Sequence, residues 1–326
     1  MGAAESRHAP RTGWLRRLLG PLYFTGIVWY RLALLIVRVV PDWLMPAVVA
    51  CATTLFWGTL PGVRRALAAN LELALGPATK AEARRRSFRA LRTFAWCMAE
   101  RYEQFVPGTT FRHSIENRAA WDERILRGEG FVLVTAHLGN WELGSTLPTA
   151  RSGLEIHLVR EPELDRASQA FVEKLLAGLG GPRYRTHFAE GELALGLELL
   201  SALRDGHIVA LQGDRPRAGG RTVRVPLFGR PVEFPLGVPT IARLAGVPLV
   251  PVFVLRTGRR EYRVVFRDAI HVPRTTDRDR DHRQAIEHFA RDLEWAIGEA
   301  PEQWFGLSEV ASAEPTTATA AATTRG

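Results

Sequence analysis

Near residue 130 the hydrophobic period of the chain changes, and the change sets the class of fold. From Arg64 to Phe105, apolar residues recur at three- and four-residue steps, through Leu67, Leu71 and Leu75 and then Phe88, Leu91, Phe94, Ala95 and Met98. That spacing is the signature of amphipathic helices. From Gly130 the run Phe131-Val132-Leu133-Val134-Thr135-Ala136 is compact and rich in β-branched residues, which predicts a strand buried on both faces. Further short apolar strands are expected at Glu155–Val159, His207–Leu211, Leu249–Leu255 and Tyr262–Phe266. Helical segments are expected between them, near Ala167–Leu179, Leu193–Arg204 and Pro239–Ala245, with a last helix from about Arg283 to Gly298. Strands alternating with helices predict an α/β domain with a mixed or mostly parallel sheet flanked by helices.

The remaining organisation follows from composition along the chain. With 326 residues and 46% hydrophobic content, one large core can be buried. Residues 1–17 are polar and basic, 18–63 are read as membrane-associated apolar helices, 64–307 as the α/β domain, and 308–326 as an Ala/Thr-rich disordered tail. The stretch from Leu18 to Val40 carries Arg31 and Arg38. Because a central arginine costs about 2.5–3.5 kcal/mol on insertion, a helix lying in or oblique to the membrane plane is expected at least as readily as a span. The run from Trp43 to Val63 is uncharged but broken by Pro46, Gly58, Pro61 and Gly62, and is read first as a buried helix pair. Basic flanks on both sides of the apolar region favour a cytoplasmic domain held at the inner leaflet, and no small-residue cleavage site marks a signal peptide. The net charge of +9 is spread along the chain rather than gathered into a patch, which argues against nucleic acid and for an anionic lipid surface. Cys51 and Cys97 have no metal or disulfide spacing and are expected to be buried thiols.

Chemistry is expected at the end of the first strand, where ligands gather in open α/β sheets. His137 follows that strand directly, and Glu142 lies five residues on. In a regular helix the two would point about 140° apart, since each residue turns about 100°, so they can meet only if His137 stands in the turn before the helix. Then the carboxylate would fix the imidazole tautomer and leave the other nitrogen free to take a proton from a hydroxyl. Gly139 and neighbouring backbone amides could hold an oxyanion. The chain contains no G-x-S-x-G elbow, no H-E-x-x-H and no P-loop, so the common hydrolase, metalloprotease and nucleotidase signatures are missing.

The block His137-Leu-Gly-Asn-Trp-Glu142 resembles the His-x4-Asp/Glu motif of the glycerolipid and lysophospholipid acyltransferase superfamily, in particular the late acyltransferases of bacterial lipid A biosynthesis. Later segments match in order: Val159-Arg160-Glu161-Pro162, Gln212-Gly213-Asp214-Arg215-Pro216, Pro226-Leu227-Phe228-Gly229-Arg230 with Phe234-Pro235, Gly246 to Pro251, and Pro301-Glu302-Gln303-Trp304-Phe305. The helical region with Asn70-Leu71 is similar to the segment that precedes the motif, so the likeness covers roughly residues 15 to 307. The resemblance implies a general base at His137 oriented by Glu142, and a substrate site built from Gly139, Asn140, Arg160, Asp214, Arg215 and Arg230. Within it, Arg160 would bind phosphate or another anion, with a surface salt bridge as the alternative. Asp214 would support His137, hold Arg215 or Arg160, or close a local Asp-Arg-Pro turn. Gly229, Pro235 and Gly237 would shape loops, and Trp304 and Phe305 would be core or acyl-pocket lining.

The implied reaction is transfer of a fatty acyl chain from acyl carrier protein or acyl-coenzyme A to a hydroxyl of a lipid A precursor or related glycolipid at the bacterial inner membrane. No metal or redox cofactor is implied. Relatives that acylate other glycolipids, including mannosides, leave acceptor and donor open. A lysophospholipid or glycerophosphate acyltransferase, a thioester hydrolase and a non-catalytic lipid-binding protein stand as alternatives.

Overall fold

The computed structural model of the chain describes residues 26–146, 153–163, 165–177, 184–189, 192–217 and 219–310. The basic segment 1–17, the first part of the apolar stretch and most of the expected tail lie outside the described residues.

Four helices come first: α1 (Ile27–Val39), α2 (Met45–Thr59), α3 (Pro61–Leu75) and α4 (Lys80–Glu103). Helix α1 stops ahead of Pro41, whose ring would clash with the preceding turn. Pro46 sits near the start of α2 and Pro61 opens α3, positions where the missing N–H costs nothing. No single described helix is long and apolar enough to cross a membrane; α2 and α3 qualify together by length and composition but are bent by 97°. Cys97 is buried, whereas Cys51 is exposed on α2, against expectation, because that helix buries only a narrow face through Met45, Val49 and Thr53.

The α/β part follows as β1 (Arg112–Glu116), α5 (Arg118–Arg127), β2 (Phe131–Thr135), a 3₁₀ turn (Trp141–Thr146), β3 (Ile156–Arg160), α6 (Arg166–Ala177), β4 (Tyr184–Phe188), α7 (Glu192–Arg204), β5 (Ile208–Gln212), β6 (Thr222–Leu227), β7 (Arg230–Pro235), α8 (Gly237–Ala245), β8 (Leu249–Gly258), β9 (Glu261–Phe266), α9 (Arg278–Glu299) and a short 3₁₀ turn (Pro301–Gln303). Seven strands form one sheet in the order β1-β9-β8-β2-β5-β3-β4. All neighbours in it are parallel except the β8–β9 hairpin, so the expected mixed, mostly parallel sheet is found.

Alternation along the central strands separates two cores. Val132, Val134, Val209 and Phe253 face one side, where they meet Phe289 and Leu293 of α9 and the β6–β7 hairpin. Phe131, Ile156, Ile208, Val252 and Val254 face the other, with Trp121 and Tyr262. Strand β2 is buried on both faces because it lies mid-sheet, which is why its sequence reads as an uninterrupted apolar run.

Some elements depart from expectation. The segment read as loop-shaping around Gly229 and Pro235 is the two-stranded β6–β7 ribbon, turning at Phe228 and Gly229 with φ of 50° and 72°. Pro235 belongs to β7 and Gly237 opens α8. Edge strands β1 and β4 pair on one side only and carry polar residues, so they lack the apolar run that marks β2. Helix α9 begins at Arg278, ahead of its apolar stripe, because Asp277 caps it by accepting from the Arg280 amide at 3.0 Å. Buried Asn70 of α3 donates to the carbonyls of Gly306 and Ser308 and accepts from the Val310 amide, tying the end of the described chain to the helical layer.

Candidate active site

Strands β2, β5 and β3 are neighbours and run parallel, so the residues just past their carboxyl ends are brought together. Thr135 and Gln212 are register partners on β2 and β5; His137 and Asp214 each stand two residues beyond. The Gly213 amide donates to the Thr135 carbonyl at 2.8 Å and extends the pairing. Gly213 must be glycine there, because an added Cβ would lie 2.6 Å from Val134 and 2.9 Å from Phe289.

Asp214 consequently reaches His137 twice. Its Oδ2 accepts from the His137 backbone amide at 3.0 Å and its Oδ1 accepts from Nδ1 at 2.8 Å. A carboxylate on Nδ1 fixes the proton on that nitrogen and leaves Nε2 as the unprotonated base. Burial of Asp214 pushes its pKa up, but the charge and hydrogen bonds of His137, with Arg215 beside it, outweigh that and hold the carboxyl below its usual range. His137 keeps 23% of its side chain exposed against 3% for Asp214, so the imidazole is the accessible member. The Trp141 ring packs edge-on against it at 5.1 Å.

The expected orienting carboxylate, Glu142, does other work. His137 does stand in the turn, but Nδ1 is taken by Asp214, and Glu142 lies between two guanidinium groups: Arg101 of α4, and Arg160, whose Nη1 donates to it at 2.9 Å. Burial disfavours the charge on Arg101, yet Glu142 together with Tyr102, Tyr30 and Glu163 more than offsets this and raises its pKa. Arg160 therefore forms the salt bridge weighed as its alternative, inside the crevice rather than on the outer surface. Arg101 was not legible as a site residue because it lies on a helical stretch that reads as packing; the charged run Glu100-Arg101 within an apolar stripe was the available signal.

Four other expected site residues, Gly139, Asn140, Arg215 and Arg230, are engaged or placed away from His137. The Gly139 and Asn140 amides already donate to Gln303 O at 2.9 Å and Val254 O at 3.0 Å. The Asn140 side chain is buried, donating to the Cys97 carbonyl and the Tyr262 hydroxyl. Arg215 turns inward to the Phe305 carbonyl, with its Nε 3.8 Å from Asp214. Arg230 is exposed at the tip of the β6–β7 ribbon, which packs into the core on the opposite face of the sheet. Trp304 and Phe305 are core residues, 1% and 2% exposed, and the Phe305 amide donates to the His137 carbonyl at 2.9 Å, bracing the turn that carries His137.

His137, Trp141, Glu142 and Arg160 form the polar end of a cavity of about 350 Å³. Its apolar part is made by Leu133, Leu158, Ala210 and Val252, one from each of the adjacent strands β2, β3, β5 and β8. With strands about 4.8 Å apart, that floor extends roughly 14 Å across the sheet. Among the described residues no cluster of His, Cys, Asp and Glu is arranged to hold a metal ion.

Such a site can accept a proton at Nε2 beside the ion-paired Arg101, Glu142 and Arg160, with a slot for an apolar chain. A search of curated proteins finds no match. The family model described as bacterial lipid A biosynthesis acyltransferase matches residues 13–309, nearly the whole chain. On that match the chain belongs to the bacterial lipid A biosynthesis acyltransferase family, a family of acyltransferases.

Proposed function

We propose that the protein transfers a fatty acyl chain from a thioester, carried on acyl carrier protein or coenzyme A, to a hydroxyl of a lipid A precursor or related glycolipid. The observation that carries this reading is the buried Asp214 carboxylate on Nδ1 of an accessible His137, at the polar end of a crevice with an apolar floor. His137 Nε2 takes the proton of the acceptor hydroxyl as its oxygen bonds to the thioester carbonyl carbon. The carbon–sulfur bond then breaks, and the proton passes to the departing thiolate, so that an ester and a free thiol result. Asp214 stabilises the imidazolium formed on the way.

Arg160 has five N–H donors and spends one on Glu142, so others remain for the carbonyl oxygen or an anionic part of the substrate. Glu142 positions Arg160 and Arg101 rather than His137. The apolar floor suits the acyl chain, each buried methylene contributing about 0.8 kcal/mol.

Membrane association fits the exposed apolar side chains of the first helices. Leu35, Val39 and Trp43 are 57%, 69% and 79% exposed, on α1 and the turn after it. A helix resting in the plane of the inner membrane, with the catalytic domain on the cytoplasmic side, buries them without inserting Arg31 and Arg38 into the hydrocarbon.

Mass spectrometry of lipids tests the reading in cells lacking the gene and in the same cells carrying the wild-type protein or His137→Ala. The expected result is an acylated glycolipid missing from the deletion strain, restored by wild type and not by the variant. A lysophospholipid as the accumulating species would redirect the acceptor to glycerolipids; an unchanged lipid profile would contradict the proposal.

A further inference from the structure

A second cavity, of about 950 Å³, lies between α1, α6 and residues 104–109, and Gln104 lines both it and the catalytic crevice. Its wall is amphipathic. Leu34, Phe105 and Phe171 supply apolar surface, while Arg31, Arg38 and Lys174 supply three cations. Among the described residues none of these three forms a salt bridge, in contrast to Arg101 and Arg160, which share Glu142. Arg31 is held toward α6, 6.0 Å from the centre of the Phe171 ring.

Helical geometry explains how α1 presents this surface. Ile27, Arg31, Leu34 and Arg38 fall at steps of four, three and four and form one stripe, which lines the cavity. Val28, Leu32, Leu35 and Val39 each follow by one residue, about 100° around the helix, and are the exposed apolar side chains of α1. When the second stripe rests in the acyl region of a bilayer, the first is turned toward the level of the headgroups. Tyr30 anchors the helix in this pose, donating to Glu163 at 2.6 Å, and Glu163 itself lines the catalytic crevice.

We infer that the cavity beside α1 seats the phosphate of a membrane amphiphile, with Arg31, Arg38 and Lys174 on the phosphate and Leu34, Phe105 and Phe171 against the adjoining apolar part. The cations call for an anion, the aromatic and aliphatic wall calls for a ligand with an apolar portion, and the neighbouring stripe directs the cavity to a membrane. That this amphiphile is the acyl acceptor rests on the proposed function; that the cavity binds lipid phosphate does not.

The test is binding of short-chain phosphatidic acid to the full-length protein by calorimetry, beside the diacylglycerol of the same chains, inorganic phosphate and coenzyme A. The variant is R31Q/R38Q/K174Q, whose three side chains are exposed and absent from the core. Phosphatidic acid is expected to bind at least tenfold more tightly than diacylglycerol or inorganic phosphate. With about fivefold contributed by each lipid-facing cation, the triple variant should lose on the order of a hundredfold for phosphatidic acid. Its affinity for coenzyme A should stay unchanged. A variant that keeps the preference overturns the inference, as does equally tight inorganic phosphate, or a parallel loss of coenzyme A binding, which would make the cavity a donor seat. His137→Ala is expected to retain phosphatidic acid binding, so failure of the acyl-transfer reading and failure of this one are separately visible.

Discussion

Replacing Asp214 by Asn removes a charge and keeps the shape, and so isolates what the buried carboxylate contributes. In the wild type both Asp214 oxygens accept from His137, one from the backbone amide at 3.0 Å and one from Nδ1 at 2.8 Å. Asparagine has one accepting oxygen; if that keeps the backbone amide, its NH₂ faces Nδ1. The imidazole must then accept at Nδ1 and carry its proton on Nε2, where the base is needed. The loss expected is that of general-base catalysis, about 10²–10⁴ in kcat, with KM little changed because Asp214 is 3% exposed and out of reach of substrate. Stability should fall by about 1–3 kcal/mol, since Arg215 keeps its buried guanidinium and loses its neighbouring anion. The depressed Asp214 carboxyl gives a second readout: its stabilisation is present above the usual carboxylate range and is lost as pH falls through its lowered value, a dependence the Asn variant lacks. Steady-state transfer of acyl from a thioester, with chemical denaturation at several pH values, measures all three. A folded D214N with near-wild-type kcat would refute the orienting role.

Gly139→Ala should cost at least about 2 kcal/mol or prevent folding, since residue 139 has φ of 62° and an added Cβ would sit 2.0 Å from the Val254 carbonyl oxygen; denaturant midpoints check this. Glu142→Gln should destabilise by about 3–5 kcal/mol by leaving Arg101 and Arg160 together without their shared anion, and Arg101→Met in the same chain should recover part of the loss, as read by thermal unfolding. His113, His157 and His282 have pKa values lowered chiefly by burial, so the unfolded chain takes up protons first on acidification. Stability should therefore be level above about pH 6.5 and fall as pH drops below it, and His157→Phe should make that slope shallower.

The sheet was legible in the sequence where strands lie centrally. β2, β5 and β8 are buried on both faces and read as apolar runs, whereas β1 and β4 lie at the edges and carry Arg112, His113, Arg185 and His187 among their few residues. The β6–β7 ribbon was hidden by its prolines, although Val223, Val225 and Leu227 alternate inward as a half-buried strand requires. His137 was found because it ends such a run. Its orienting carboxylate was expected to be Glu142, five residues on, with support of His137 only one of three roles open to Asp214, and the sheet brings Asp214 to Nδ1. Asp214 is 77 residues away but on the adjacent strand at the same level, a relation that only register between β2 and β5 creates. Pairing of Arg101 with Glu142 depends likewise on how α4 crosses the end of the sheet, which local spacing does not encode.

The central claim is that His137, with Asp214 behind it, activates a lipid hydroxyl toward a thioester. Its most direct test follows ester product and free thiol together, using purified protein, one acyl thioester and a panel of glycolipid and glycerolipid acceptors. Wild type is expected to form ester and thiol in equal amounts with at least one glycolipid. His137→Ala is expected to form neither while still binding acceptor. Equal ester formation by a folded His137→Ala, or thiol release by wild type with no ester on any acceptor, would contradict the account.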